Sequence, residues 1–336
     1  MSAPIVSMHP RGSGFVKMAM AMIAGRGDLL ESAAWSEVHN GATAPATTVL
    51  RAAAAFGGIY PDEWGGALYT AYQSLAVEMI GLIEQKSVVG QLSNLRRIPL
   101  GTRVGIAVSG PNASWIGQGV AIPVSAMGFT DAPLDPLKLG SLIVLSEELA
   151  RSTSPAVEPL LRTTMVNAIS ERLDRSFLDP TNPGLPEIEP ASITFGVTPT
   201  PGGADDAADL AALVAAFQGD IGAAYIVTSP AKLATMVGAA WPDLSVRGGS
   251  FGGFPVIATK AAEGNLIMVD PTGIAYGSDL LTLDKSGAAS IQMDDSPVAG
   301  ESQLVSLWQA NLVALRGIQS ANWIAKPGSV AFIAGS

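Results

Sequence analysis

The chain has 336 residues, enough for one large domain or two ordinary ones, and is rich in hydrophobic residues (48%) and sparsely charged (14%). A net charge of −10 argues against a basic face that wraps a nucleic-acid backbone, and the lack of cysteine excludes disulfides and thiolate metal sites. So few charges leave neutral and apolar surface, which favours burial between subunits.

Residues 1–57 read as a separate helical segment. FVKMAMAMIAGRGDLLESAAWSEVHN predicts one or two short helices with a break at Gly25-Arg26-Gly27, a Thr/Ala/Pro-rich linker follows (GATAPATTVL), and a further short helix includes Arg51 to Phe56. The apolar run Met18 to Gly25 is too short to cross a bilayer and reads as a short helix. From Tyr60 to Leu95, Leu68, Tyr72, Leu75, Met79 and Leu82 recur at helical spacing.

Arg96 to Leu137 predicts a long β-hairpin. Val104, Ile106 and Val108 alternate with small residues, Ser109-Gly-Pro-Asn112 makes a turn, and Trp115, Val120, Ile122 and Val124 lie on the returning run. Two strands with few large apolar residues need another body to rest on, and a neighbouring subunit is the natural one. Ser146 to Asp179 then predicts a helical spine. Pro159 suits its first turn, Leu161, Met165, Ile169, Leu173 and Phe177 make one apolar stripe, and Asn167, Ser170, Glu171, Asp174 and Arg175 fall mostly off it. Glu171 and Arg175 are spaced for an i, i+4 ion pair.

After a Pro-rich crossing with a short strand at Ser192 to Val197, the chain reads as an α/β module. It has an acidic-started helix at Asp205 onward, a strand from Ala224, a helix opened by Pro230, a Gly-rich loop from Arg247 to Gly253 leading to Phe254–Thr259, then a strand Leu266–Asp270 and strand-like segments to Leu283. Glu301 to Ile318 fits a long strand or a helix by pattern alone, and Val330 to Ile333 is a closing strand.

Motifs that carry chemistry are scarce. The glycines at 248–253 lack both the GxGxxG and the GK[ST] spacing, and read as a flexible surface loop. Asp205, Asp206 and Asp209 gather at a helix start, and Asp131, Asp135, Asp294 and Asp295 suit turns. His9 and His39 are the only histidines, so histidine catalysis has little to work with. These residues point to a non-catalytic protein with no cofactor and no metal.

From Trp115 the sequence resembles a known family. Trp115-Ile-Gly-Gln118-Gly, Ile122-Pro123, Phe129, Pro136-Leu-Lys138-Leu, Val144-Leu-Ser146-Glu147-Glu148-Leu149, Ser152 and Leu173-Asp174-Arg-Ser-Phe177-Leu178 follow the order seen in major capsid proteins of tailed bacteriophages. Tyr60-Pro61-Asp-Glu63-Trp64, Gly253-Phe-Pro255-Val256 before Thr259-Lys260, and Leu307-Trp308-Gln309-Ala-Asn311 through Arg316 with Trp323 continue it over about residues 58 to 336.

The resemblance implies the Hong Kong 97-like shell fold, an α+β architecture. It implies an N-terminal arm at 58–97, an extended loop hairpin at 98–138, a peripheral domain with the spine helix at 139–200 and 284–322, and an axial α/β domain at 201–283 and 323–336. Residues 1–57 resemble the scaffold-like N-terminal region of related precursors. The Leu304–Arg316 signature becomes a strand of the peripheral domain.

The implied function is a subunit that self-assembles through hexamers and pentamers into an icosahedral head around double-stranded DNA, with an encapsulin-type nanocompartment as the alternative. Portal, scaffold, protease and decoration proteins are the implied partners, and the virion, assembled in the bacterial cytoplasm without a membrane, is the implied location. Trp115, Gln118, Lys138, Glu147, Glu148, Trp308 and Arg316 are the implied assembly residues. Gln118 stands where family members often carry Glu, and no lysine lies between Lys86 and Lys138, so no Lys–Asn crosslink is expected from the loop tip.

Overall fold

Pairs of helices and mixed sheets make up the computed structural model, which describes residues 11–25, 28–56, 77–109, 115, 124, 128–148, 157–238, 240–279, 282–286, 289–294 and 304–335. These divide into two compact units. The first takes its residues from the chain up to Lys86, from Leu139–Ser170 and from Leu280–Gln319; the second takes Ser87–Lys138, Glu171–Asp279 and Ser320 onward.

The first unit is built on three N-terminal helices, α1 (Ser13–Ala24), α2 (Leu29–Asn40) and α3 (Pro45–Phe56). Asp28 caps α2 by accepting from the backbone N–H groups of Leu30 and Glu31, at 2.8 and 3.0 Å. The expected linker at 41–50 is for the most part helix: Pro45 opens α3, where a residue without an N–H costs nothing. Small residues then let α3 pack closely on its neighbours, with Ala46 and Ala53 buried. The hydroxyls of Ser36 and Thr47 meet at 2.7 Å inside that contact.

Phe15, Met18, Leu50 and Ala53 share one core with Met79 and Ile83 of a helix described over residues 77–86, and with Met165, Val166 and Ile169 of the long helix Val157–Leu178. Val16 and Met20 pack with Leu161, and Ile23 with Val313. The strand Leu137–Ser146, of which residues 139–146 lie in this unit, pairs with the long strand Leu312–Ala325, and Thr282–Ser286 pairs with residues 314–318 of that strand.

The long helix begins at Val157 among the described residues, with 149–156 outside them. Its stripe is as the spacing predicts: Leu161, Met165, Ile169, Leu173 and Phe177 are all buried. Ser170 and Asp174 are buried too, contrary to the expectation that they lie off the stripe. Arg175 does not pair with Glu171; it reaches Glu263 at 3.1 Å, because the strand-rich second unit supplies a carboxylate there.

The second unit carries a six-stranded sheet in the order Val330–Ile333, Leu266–Val269, Tyr225–Thr228, Phe254–Ala258, Gly248–Phe251, Leu244–Ser245. Tyr225–Thr228 runs parallel to Phe254–Ala258 and antiparallel to Leu266–Val269. The helices Asp206–Ala216, capped by Asp205, and Pro230–Met236, capped by Ser229, supply Leu213, Leu233 and Met236 to its core.

The glycines at 248–253 are not a flexible loop. Phe251 faces Phe254 across a two-residue turn, Gly252-Gly253, both at positive φ (59° and 89°), which is the backbone a tight hairpin demands. Gly249, at φ 130°, lies where a Cβ would come within 2.1 Å of the Asp243 carbonyl oxygen. Ser192 to Val197, expected as a strand, is a turn from Ile193 to Gly196, held by the Ser192 hydroxyl accepting from the Thr194 and Phe195 N–H groups.

A second sheet region of this unit pairs Ile274–Ser278 with residues 321–325 of the long strand, and Arg96–Arg97 runs parallel beside it. Arg103–Ser109 and Gly128–Pro133 form the antiparallel base of the expected hairpin. That base has a core of its own: Val104 and Leu134 pack with Ala275. Of the residues between, Trp115 and Val124 alone are described, and Gln118, the Ser109–Asn112 turn beyond Ser109, and Tyr60–Trp64 lie outside the described residues.

Candidate assembly surfaces

In the second unit the two described residues beyond the hairpin base are both apolar and exposed. Trp115 is fully exposed, at 105% of its reference area, and Val124 is nearly so. An indole left in water forfeits roughly 2–3 kcal/mol of burial. Lys138 is exposed near the start of its strand.

The same unit has an open groove of about 1210 Å³ lined by Pro186, Ile193, Phe195, Trp323 and Pro327, among others. Leu185, Ile188 and Phe195 are exposed along the segment that forms its wall. Trp323 itself is buried, edge-on to Phe177 at 5.2 Å, with its indole N–H donating to the Ala191 carbonyl at 2.8 Å.

In the first unit the residues expected at contacts gather around one turn. The strand Leu304–Ser306 stops, residues 307–310 turn, and the long strand starts at Leu312; Asn311 is in the left-handed region at φ 52°. The strand-or-helix ambiguity over 301–318 therefore resolves as two strands with a turn between them. Leu307 is buried while Trp308 is 78% exposed. The Glu147 N–H donates to the Asn311 carbonyl at 3.0 Å, which brings the Glu147-Glu148 pair to the Trp308 turn. Arg316 is exposed further along the strand.

One buried acid escaped the sequence reading. Asp174, in the part of the long helix that belongs to the second unit, accepts from the Val88 N–H at 2.7 Å and from the Thr259 hydroxyl at 3.3 Å. Burial pushes its carboxyl up from 3.8 to about 7, against those two hydrogen bonds and with a further push from Glu171. Its position one residue after a stripe leucine and three before a stripe phenylalanine was the available signal.

Among the described residues no group of three or more His, Asp or Glu side chains could hold a metal ion, and no helix is long and apolar enough to cross a membrane. The described surface carries exposed aromatic and aliphatic side chains, with charged residues beside them.

Residues 67–317 match the model of the phage capsid family. The chain belongs to that family. A capsid polyprotein of Pseudomonas phage PAJU2 is 31% identical over 316 residues, covering 85% of this chain and 47% of the relative. The major capsid protein of Klebsiella oxytoca phage phiKO2 is 25% identical over 182 residues, covering 52% and 40%. The chain thus spans less than half the length of these curated relatives. Among solved structures, a chain from Gordonia phage Cozz matches with a TM-score of 0.52 at 17% identity, covering 76% of this chain and 87% of that one. One from Microbacterium phage Oxtober96 matches at 0.52 and 17%, covering 74% and 91%. These likenesses establish the Hong Kong 97-like α+β fold of phage capsids.

Proposed function

We propose that this capsid-family chain is the major shell-forming subunit of a tailed-phage head: a structural, non-catalytic protein that assembles with itself through hexamers and pentamers around double-stranded DNA. The observation that carries the reading is the family match over residues 67–317, joined to apolar side chains left uncovered in both units.

In this reading Trp115, Gln118 and Lys138 of the hairpin region, and Glu147, Glu148, Trp308 and Arg316 around the 307–311 turn, lie at subunit contacts. The six-stranded sheet forms the axial domain, and the long helix with the long strand is the frame of the peripheral domain. Each contact is shallow, and closed symmetry supplies the avidity. The acidic balance suits a wall that holds DNA without gripping it. Portal, scaffold, protease and decoration proteins are the partners such a head requires; assembly takes place in the host cytoplasm and the product is the virion.

Negative-stain microscopy of the purified protein, with nuclease protection of particles from the phage, tests the reading. Icosahedral shells that protect DNA are expected. Shells filled with protein cargo would instead favour the nanocompartment, and small oligomers alone would overturn both.

A further inference from the structure

We infer that residues 11–56 are a permanent part of the folded subunit and remain in the finished shell, rather than a scaffold-like segment that is removed. The inference rests on the shell-forming reading for its setting, but its evidence is the packing of the first unit.

The decisive element is α1. A peripheral helix buries one stripe and shows water the rest; a helix buried all round is an interior helix. In α1 the residues Phe15, Val16, Met18, Ala19, Met20, Ala21 and Ile23 are all buried. They point in every direction around the axis and meet partners from three later stretches of chain. Met79 and Ile83 come from residues 77–86, Leu161, Met165 and Ile169 from the long helix, and Val313 from the long strand.

The start of α1 is fixed as closely as its flanks. The Gly12 N–H donates to Glu78 Oε2 at 3.1 Å, and Arg162 Nη1 donates to the Arg11 carbonyl at 2.8 Å, so two different segments hold it. Gly12 has φ 74°, and a Cβ there would come within 2.6 Å of the Leu82 side chain. The φ is one that glycine adopts freely, and any side chain there would displace the end of Leu82.

A segment destined to leave should rest on a surface that is complete without it. Here the surface beneath is not complete. Stripping α1–α3 away would lay open Met79, Ile83, Leu161, Met165, Val166, Ile169 and Val313, none of which is more than 7% exposed. Such a contiguous apolar face aggregates. The first half of the spine's stripe is therefore covered by the chain's own N-terminal helices.

Three measurements decide the matter. Intact mass of shell subunits from phage particles should include residues 11–56; a subunit beginning near Gly57 would overturn the inference. Deleting residues 1–56 should reduce soluble subunit at least tenfold, whereas soluble, cooperatively melting protein or normal shells from the deleted chain would overturn it. Leu50→Asp, in the buried face of α3, should be as damaging to solubility as the deletion, while Leu30→Asp, 70% exposed on α2, should leave solubility intact. If the unaltered chain is soluble but forms no shell, the shell reading fails, and the solubility of the deletion and of the two variants still decides the role of residues 11–56.

Discussion

Asp174 accepts the backbone N–H of Val88 at the head of the short helix Val88–Gln91, and the hydroxyl of Thr259, which also caps the 3₁₀ turn Lys260–Ala262. The cations nearest in sequence are engaged elsewhere, Arg172 with Glu189 and Arg175 with Glu263. The pH dependence follows from the raised value. The unfolded chain releases this proton near 3.8 and the folded chain near 7, so the contribution to stability is full below 3.8 and is lost as pH rises through about 7. Asp174→Asn keeps an acceptor for Val88 and removes the titration. Denaturant melts between pH 4.5 and 6.5 should show the unaltered chain losing up to about 1.4 kcal/mol per pH unit relative to Asp174→Asn. Parallel curves for the two proteins would place the proton elsewhere.

At the scale of elements the long helix is the sharpest test. Ile169 is buried on the stripe and Ala168 beside it is exposed. Ile169→Asp should cost more than about 3 kcal/mol by burying an unpaired charge, and abolish soluble subunits, while Ala168→Asp should be neutral to within about 0.5 kcal/mol. Soluble yield and melting temperature report both. The stripe was legible in the sequence because burial along one line leaves a four-residue rhythm. The hairpin base, the helix after Asp205 and the strand after Ala224 were legible for similar local reasons.

What was not legible depends on partners distant in the chain. Arg175 prefers Glu263 to the nearer Glu171, and both ends of that pair are more than half exposed, so its worth is small. The glycine run hid a hairpin because glycine writes no alternating pattern; Phe251-Gly-Gly-Phe254 was the signal available. The Thr/Ala/Pro run looked like a linker because small residues serve close helix packing as readily as loops. Around the candidate surfaces, Trp115 and Trp308 were legible as residues, but the approach of Glu147 to Asn311 across 164 positions was not.

At the scale of the whole molecule the net charge of −10 sets the conditions for association. Like-charged subunits repel until salt shortens the Debye length from about 10 Å at 0.1 M to about 3 Å at 1 M, whereas apolar contacts are unaffected or strengthened. Light scattering should therefore show assembly of purified subunits at lower protein concentration in 1 M than in 0.05 M NaCl. Assembly that weakens with salt would mean that ion pairs, not apolar patches, join the subunits.

Ile23 packs on Val313, and the sheet strand Leu266–Val269 is bordered by Val330–Ile333. The first unit closes its core only once Val313 has been made, and the sheet of the second only once Ile333 has. A nascent chain made from its N-terminus onward holds α1 ready long before the strand that covers it exists. Such long-range closure makes folding slow and post-synthetic. It also means that a subunit in which those strands are still to be made presents no finished surface for association.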